Sequence, residues 1–69
     1  MIKIRLQEIL RERHISQKKL SQMTGIRQGT ISEICRNTKR VMNFSHVASI
    51  AHALNITDIR ELVVYVPGK

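Results

Sequence analysis

The chain opens on an alternation of apolar and basic positions, Ile2-Lys3-Ile4-Arg5, a period of two that predicts a short strand. From about Arg5 the period becomes helical. Leu6, Ile9 and Leu10 share one face, while Glu8, Arg11 and Glu12 lie on the solvated one. His14 ends this first helix, and Ile15 is expected to plug the core at the turn. Ser16 is a good N-cap for a second helix, Gln17 to Thr24, whose Leu20 and Met23 are expected to face inward. Gly25 supplies the left-handed conformation that closes it. A third helix, Arg27 to Arg36, gathers Ile31, Ile34 and Cys35 on one face and Gln28, Gly29, Ser32 and Glu33 on the other. Asn37 stops it in the left-handed region, and Thr38-Lys39-Arg40 is a basic loop.

The second half continues in helical period. Asn43 caps a fourth helix, Phe44 to Leu54, with Phe44, Val47, Ile50, Ala51 and Leu54 as an inward stripe and Asn55 as its stop. Thr57 is expected to cap a short fifth helix through Asp58, Ile59 and Leu62. Val63 to Val66 is β-branched and aromatic, and Pro67-Gly68 stops it. Such a run is an edge hazard unless something pairs with it. Ile2–Arg5 is the available partner, within one chain or from a second copy.

Two short helices joined by a turn containing Gly, the second with a hydrogen-bonding outer face, describe a helix-turn-helix over residues 17–36. In that motif Arg27–Arg36 enters the major groove of DNA. Charge points the same way. Net charge is +7 with a pI near 10.6, and eight of the twelve Lys and Arg lie between Arg11 and Arg40. An imbalance of that size suggests a polyanionic partner. The third helix also breaks a local rule, since its N-cap position falls on Arg27, which offers no acceptor to the first amides and puts a cation at the positive end of the helix. A phosphate or a guanine edge would relieve that conflict. Alternatively Arg27 is simply solvated, and Gln28 or Thr30 caps.

Other chemistries find little support. Phe44 and Tyr65 are the aromatic residues, too few for stacking on single-stranded bases to be the main mode of binding. His14, His46 and His52 are scattered, no cysteine pairs with them, and no metal, cofactor or small-molecule effector is expected. No phosphate loop or nucleophile elbow is present, so an enzyme is the least favoured class. Cys35, the one cysteine, fits a reducing compartment, and the charged start and the lack of a long apolar run argue against secretion or membrane insertion. The chain reads as one complete cytoplasmic, nucleoid-associated domain of residues 1–69.

From Ile15 to Asn37, ISQKKLSQMTGIRQGTISEICRN resembles the helix-turn-helix of the Cro and phage-repressor (xenobiotic response element) family. Ser16-Gln17, Leu20, Gly25, Ile31 and Ile34 stand at the family's spacing, and ALNIT stands where ALGVS-like sequences are common. The resemblance implies an all-α, five-helix, lambda-repressor-like domain, here with short terminal strands. It also implies roles for residues. Gln17 binds a backbone phosphate and buttresses Gln28, while Arg27, Gln28, Gly29, Ser32 and Glu33 face bases. Thr30, Arg36, Lys39 and Arg40 hold phosphates. Chemistry agrees in part, because Gln pairs bidentately with adenine and Glu accepts from the cytosine amine. Glu33 is equally an i,i+3 partner of Arg36 on a solvated face.

Two departures stand out. Where many relatives carry an ion pair between helices one and three, this chain has Leu10 and Cys35, which implies an apolar contact and makes Cys35 a packing residue. Asn37-Thr38 replaces the frequent Asn-Gly, which puts the path of the next loop, and the roles of Lys39 and Arg40, in question. The expected function is a sequence-specific regulator of transcription, a repressor that binds a palindromic operator in double-stranded DNA as a homodimer. Val63, Val64, Tyr65 and Val66, in the tail 63–69, are the candidate dimer contact. The rival reading is a DNA-binding antitoxin or phage accessory factor whose main partner is another protein.

Overall fold

A computed structural model describes residues 1–38 and 41–68. The element order is β1 (Ile2–Ile4), α1 (Leu6–Glu12), α2 (Gln17–Thr24), α3 (Gln28–Cys35), α4 (Phe44–Ala53), a 3-10 turn (Ile59–Glu61) and β2 (Val63–Tyr65). The two strands pair antiparallel within one chain, Ile2 opposite Tyr65, Lys3 opposite Val64 and Ile4 opposite Val63. That resolves the choice between pairing within a chain and across two.

The helices are short, so their stops do much to shape the fold. α1, α3 and α4 end in the same way, with His14 (φ 56°), Asn37 (φ 58°) and Asn55 (φ 56°) in the left-handed region. Each turn closes with the paired bonds of a Schellman motif: Ile15 N–H to Leu10 C=O at 2.9 Å, Thr38 N–H to Glu33 C=O at 3.2 Å, and Ile56 N–H to Ala51 C=O at 2.8 Å. α2 ends on Gly25 at φ 77°, whose N–H reaches the Ser21 C=O at 2.8 Å. Ile15 and Ile56, one step past their stops, fold back onto the core. At the N-termini, Ser16 Oγ accepts from the Lys19 N–H at 2.9 Å, and Asn43 Oδ1 accepts from the Ser45 N–H at 2.8 Å.

Leu6, Leu20, Ile31, Ile34, Ile50, Leu54 and Leu62 are almost completely buried, and each contributes about 1.5–3 kcal/mol by leaving water. α2 packs on both α3 and α4, and α1 lies against α3. No helix among the described residues is long and apolar enough to cross a membrane.

Four expectations are corrected. The fifth helix is a single 3-10 turn, so the described residues hold four α-helices. Asp58, rather than Thr57, caps that turn, accepting from the Arg60 N–H at 2.9 Å. The chain leaves the core at Ile56 and must be extended by Val63, which leaves room only for i→i−3 bonds such as Leu62 N–H to Ile59 C=O at 3.0 Å. Met23 is 43% exposed, because the inward side of α2 is carried by Gln17, Leu20, Ser21 and Thr24. Phe44 is 87% exposed. It is the first residue of α4, and helical side chains lean toward the N-terminus, so its ring overhangs the core that Val47, Ile50, Ala51 and Leu54 reach.

Candidate nucleic-acid interface

Two hydroxyls that the spacing of apolar residues does not mark hold the turn between α2 and α3. Thr24 Oγ1 donates to the Leu20 C=O at 2.8 Å and accepts from the Ile26 N–H at 3.2 Å. Ser21 Oγ donates to the Ile26 C=O. Ile26 itself is buried in the core. Both backbone groups of the residue just before Arg27 are therefore satisfied from α2, which fixes where α3 begins relative to α2. A Ser or Thr in the last turns before a Gly is the signal that could have revealed this.

α3 then presents its two faces as its sequence predicts. Ile31, Ile34 and Cys35 are buried, Gln28, Gly29 and Glu33 are exposed, and Thr30 and Ser32 are half-buried. Arg27 stands at the N-cap with φ −57° and ψ 140° and gives no side-chain hydrogen bond to the first turn. Neither Gln28 nor Thr30 replaces it as a cap. The positive end of α3 thus opens to solvent beside an exposed guanidinium. A Cβ placed on Gly29 would meet no atom within 4 Å beyond its chain neighbours and its own helix backbone, so backbone at this point of the helix is open to a close approach.

Around this helix the other expected residues fall into three groups. Gln17 is half-buried at the start of α2 and lines a shallow depression of about 280 Å³ with Gln7, Arg11 and Cys35. Among the described residues it makes no hydrogen bond to Gln28, so the expected buttress is not formed here. Leu10 and Cys35 line the same depression, both buried, in keeping with the apolar contact expected there. Burial pushes the Cys35 thiol above its ordinary pKa, because a thiolate there would lose its hydration. Arg36 is exposed at the C-terminal end of α3. Lys39 and Arg40 lie outside the described residues.

The third group is the tail. Antiparallel partners share a face, so Val63 and Tyr65 lie with Ile4 and Ile2 on one side of the ribbon, and Val64 lies with Lys3 on the other. The first side continues into a wholly apolar groove of about 310 Å³, walled by Ile2, Ile4, Met42, Phe44, Val47, Ile59 and Val63. Tyr65 is 67% exposed beyond it, and Val66 closes the ribbon through its N–H to the Met1 C=O at 2.7 Å. Phe44 and Tyr65 alone leave on the order of 300 Å² open, taking about 200 Å² per aromatic side chain. That already matches the largest patch on many monomers.

A family model described as a Cro/C1-type HTH DNA-binding domain matches residues 5–68. No curated protein and no solved structure matches the chain.

Proposed function

The chain belongs to the Cro/C1-type helix-turn-helix DNA-binding domains, and from that premise we propose that it is a repressor that occupies a palindromic operator as a homodimer. The observation that carries this reading is the outer face of α3, where Gln28, Gly29 and Glu33 are exposed around an uncapped N-terminus guarded by Arg27. Residues 17–36 form the reading unit. Arg27, Gln28, Gly29, Ser32 and Glu33 read base edges, and Gln17, Thr30, Arg36, Lys39 and Arg40 hold phosphates. Repression follows from occupancy, since covering an operator excludes a competitor.

A helix of eight residues reads few base pairs, so specificity calls for a second copy. The apolar groove supports a two-fold contact, because a symmetric interface needs a surface that complements itself. Here Phe44 projects beside a hollow of its own chain. With Ile2 and Ile59 also exposed, Phe44 and Tyr65 give the patch an apolar centre smaller than the ~800 Å² per partner of a stable complex, so the rim around it would have to contribute as well. Val63 and Tyr65 would be the tail's share of it. Two such subunits would set their recognition helices about 34 Å apart, one turn of DNA. The rival, an antitoxin or accessory factor, draws on the same groove with another protein seated in it.

The test is a binding selection from random duplex DNA at about 150 mM salt, with an Arg27→Ala/Gln28→Ala double variant as control. A palindromic consensus that the control loses supports the proposal. Enrichment without consensus, equal in the control, leaves only phosphate attraction and removes it.

A further inference from the structure

The ribbon and the end of the recognition helix are joined by one side chain. In the ribbon, the peptide groups of Met1 and Arg5 turn toward β2: Met1 C=O accepts from the Val66 N–H at 2.7 Å, and Arg5 N–H donates to the Leu62 C=O at 2.7 Å. Antiparallel pairing alternates, so the groups of Ile4 face outward. Asn37 takes both. Its Oδ1 accepts from the Ile4 N–H at 2.7 Å, and its Nδ2 donates to the Ile4 C=O at 3.1 Å. This is the pairing a third strand would make, supplied by the residue that also stops α3.

The same alternation decides where Lys3 points. It lies on the face of the ribbon opposite the apolar groove, and with Arg5, Glu8, Asn37 and Val64 it lines an open depression of about 280 Å³. Arg5 is engaged there, 3.6 Å from the Glu8 carboxylate, which offsets that acid. Lys3 is exposed and in no ion pair among the described residues. Asn37 directly follows Arg36. One amide therefore brings a free ammonium to the end of α3 where the proposed phosphate contacts gather.

We propose that the ribbon is part of the DNA interface, with Lys3 binding a backbone phosphate beside the C-terminal end of α3 and Asn37 acting as the positioning residue that puts it there. This rests on the DNA-binding reading. The contact is electrostatic and carries no sequence information, so it sets affinity and orientation. A solvated lysine on an unrelated face would share none of its salt dependence.

The experiment measures the affinity of the full chain for its selected duplex, and for an unrelated duplex, over a series of salt concentrations. Lys3→Gln is expected to weaken both to the same factor and to flatten the slope of log affinity against log salt by about 0.9, the value of one phosphate contact. Lys3→Arg keeps the slope. Asn37→Gly keeps the left-handed stop, since glycine adopts positive φ freely, but removes the bridge. It is expected to reproduce the Lys3→Gln loss, with no further loss in the double variant. An unchanged slope in Lys3→Gln overturns the proposal, and that reading holds even if Asn37→Gly fails to fold. Additive losses overturn the positioning role of Asn37. A wild-type chain that binds no duplex sinks the DNA reading itself, an outcome distinct from both.

Discussion

The guanidinium of Arg13 donates a hydrogen bond to the carbonyl of Leu54, joining the end of α1 to the end of α4. The last carbonyls of a helix have no partner within it, and they form the negative end of its dipole, so a cation serves there twice. Part of the basic run is therefore used inside the domain. Arg13→Ala is expected to lower stability by about 1–2 kcal/mol, read as a lower urea midpoint at unchanged m-value. The salt slope of DNA binding should stay where it is. A drop in that slope would place Arg13 on the DNA instead.

Gly29 separates stability from recognition. Beyond its chain neighbours and its own helix backbone nothing would lie within 4 Å of an added Cβ, and its φ is not positive, so an added methyl group meets no obstacle in the free protein. Gly29→Ala should stabilise α3 by about 1 kcal/mol through helix propensity alone, raising the melting temperature by roughly 4–8 °C. If this position faces a base closely, affinity for the selected operator falls in the same variant. A more stable protein with unaltered affinity and base preference would remove Gly29 from the reading face.

Cys35 is expected to be inert. It is buried, and its thiol titrates above the ordinary range for that reason. A raised acid pKa means the folded chain keeps a proton that the unfolded chain releases. The resulting stability is complete below the unfolded thiol's pKa and is lost as pH rises through the folded value. Alkylation at neutral pH should thus proceed only as fast as the domain unfolds, and accelerate with urea. Rapid labelling of the native protein, or loss of DNA binding on mild oxidation, would make it a reactive cysteine.

Phe44 offers a clean probe of assembly. It is the first residue of α4 and largely exposed, so an acid there suits the positive end of the helix and removes no core contact. Phe44→Asp should leave the circular dichroism and melting curve near those of the parent. Sedimentation equilibrium should show the parent as a dimer in the micromolar range and the variant as a monomer. A parent that stays monomeric with and without DNA would dispose of the homodimer.

Local structure was legible to a high degree. Ser16 and Asn43 as caps, and His14, Gly25, Asn37 and Asn55 as stops, follow from chemistry within a few residues of each position, and all are found where that chemistry places them. The two faces of α3 follow from spacing in the same way. Phe44 and Met23 did not, because spacing says which residues share a face and not where the neighbouring element stops covering it. For Phe44 the cover ends one turn short, and for Met23 the covered arc lies closer to Ser21 and Thr24.

By itself the sequence determined the four α-helices, their caps and stops, the helix-turn-helix and the polar outer surface of α3, since each depends on interactions closed over one or two turns, while the fifth helix it also suggested is a 3-10 turn. Only the tertiary structure decided that Ile2–Ile4 pairs with Val63–Tyr65 of the same chain, that Asn37 bridges Ile4, and that Arg13 meets Leu54. Those contacts join residues more than thirty positions apart. No period or spacing encodes them, because they form when packing of the core has already brought the partners within hydrogen-bond range.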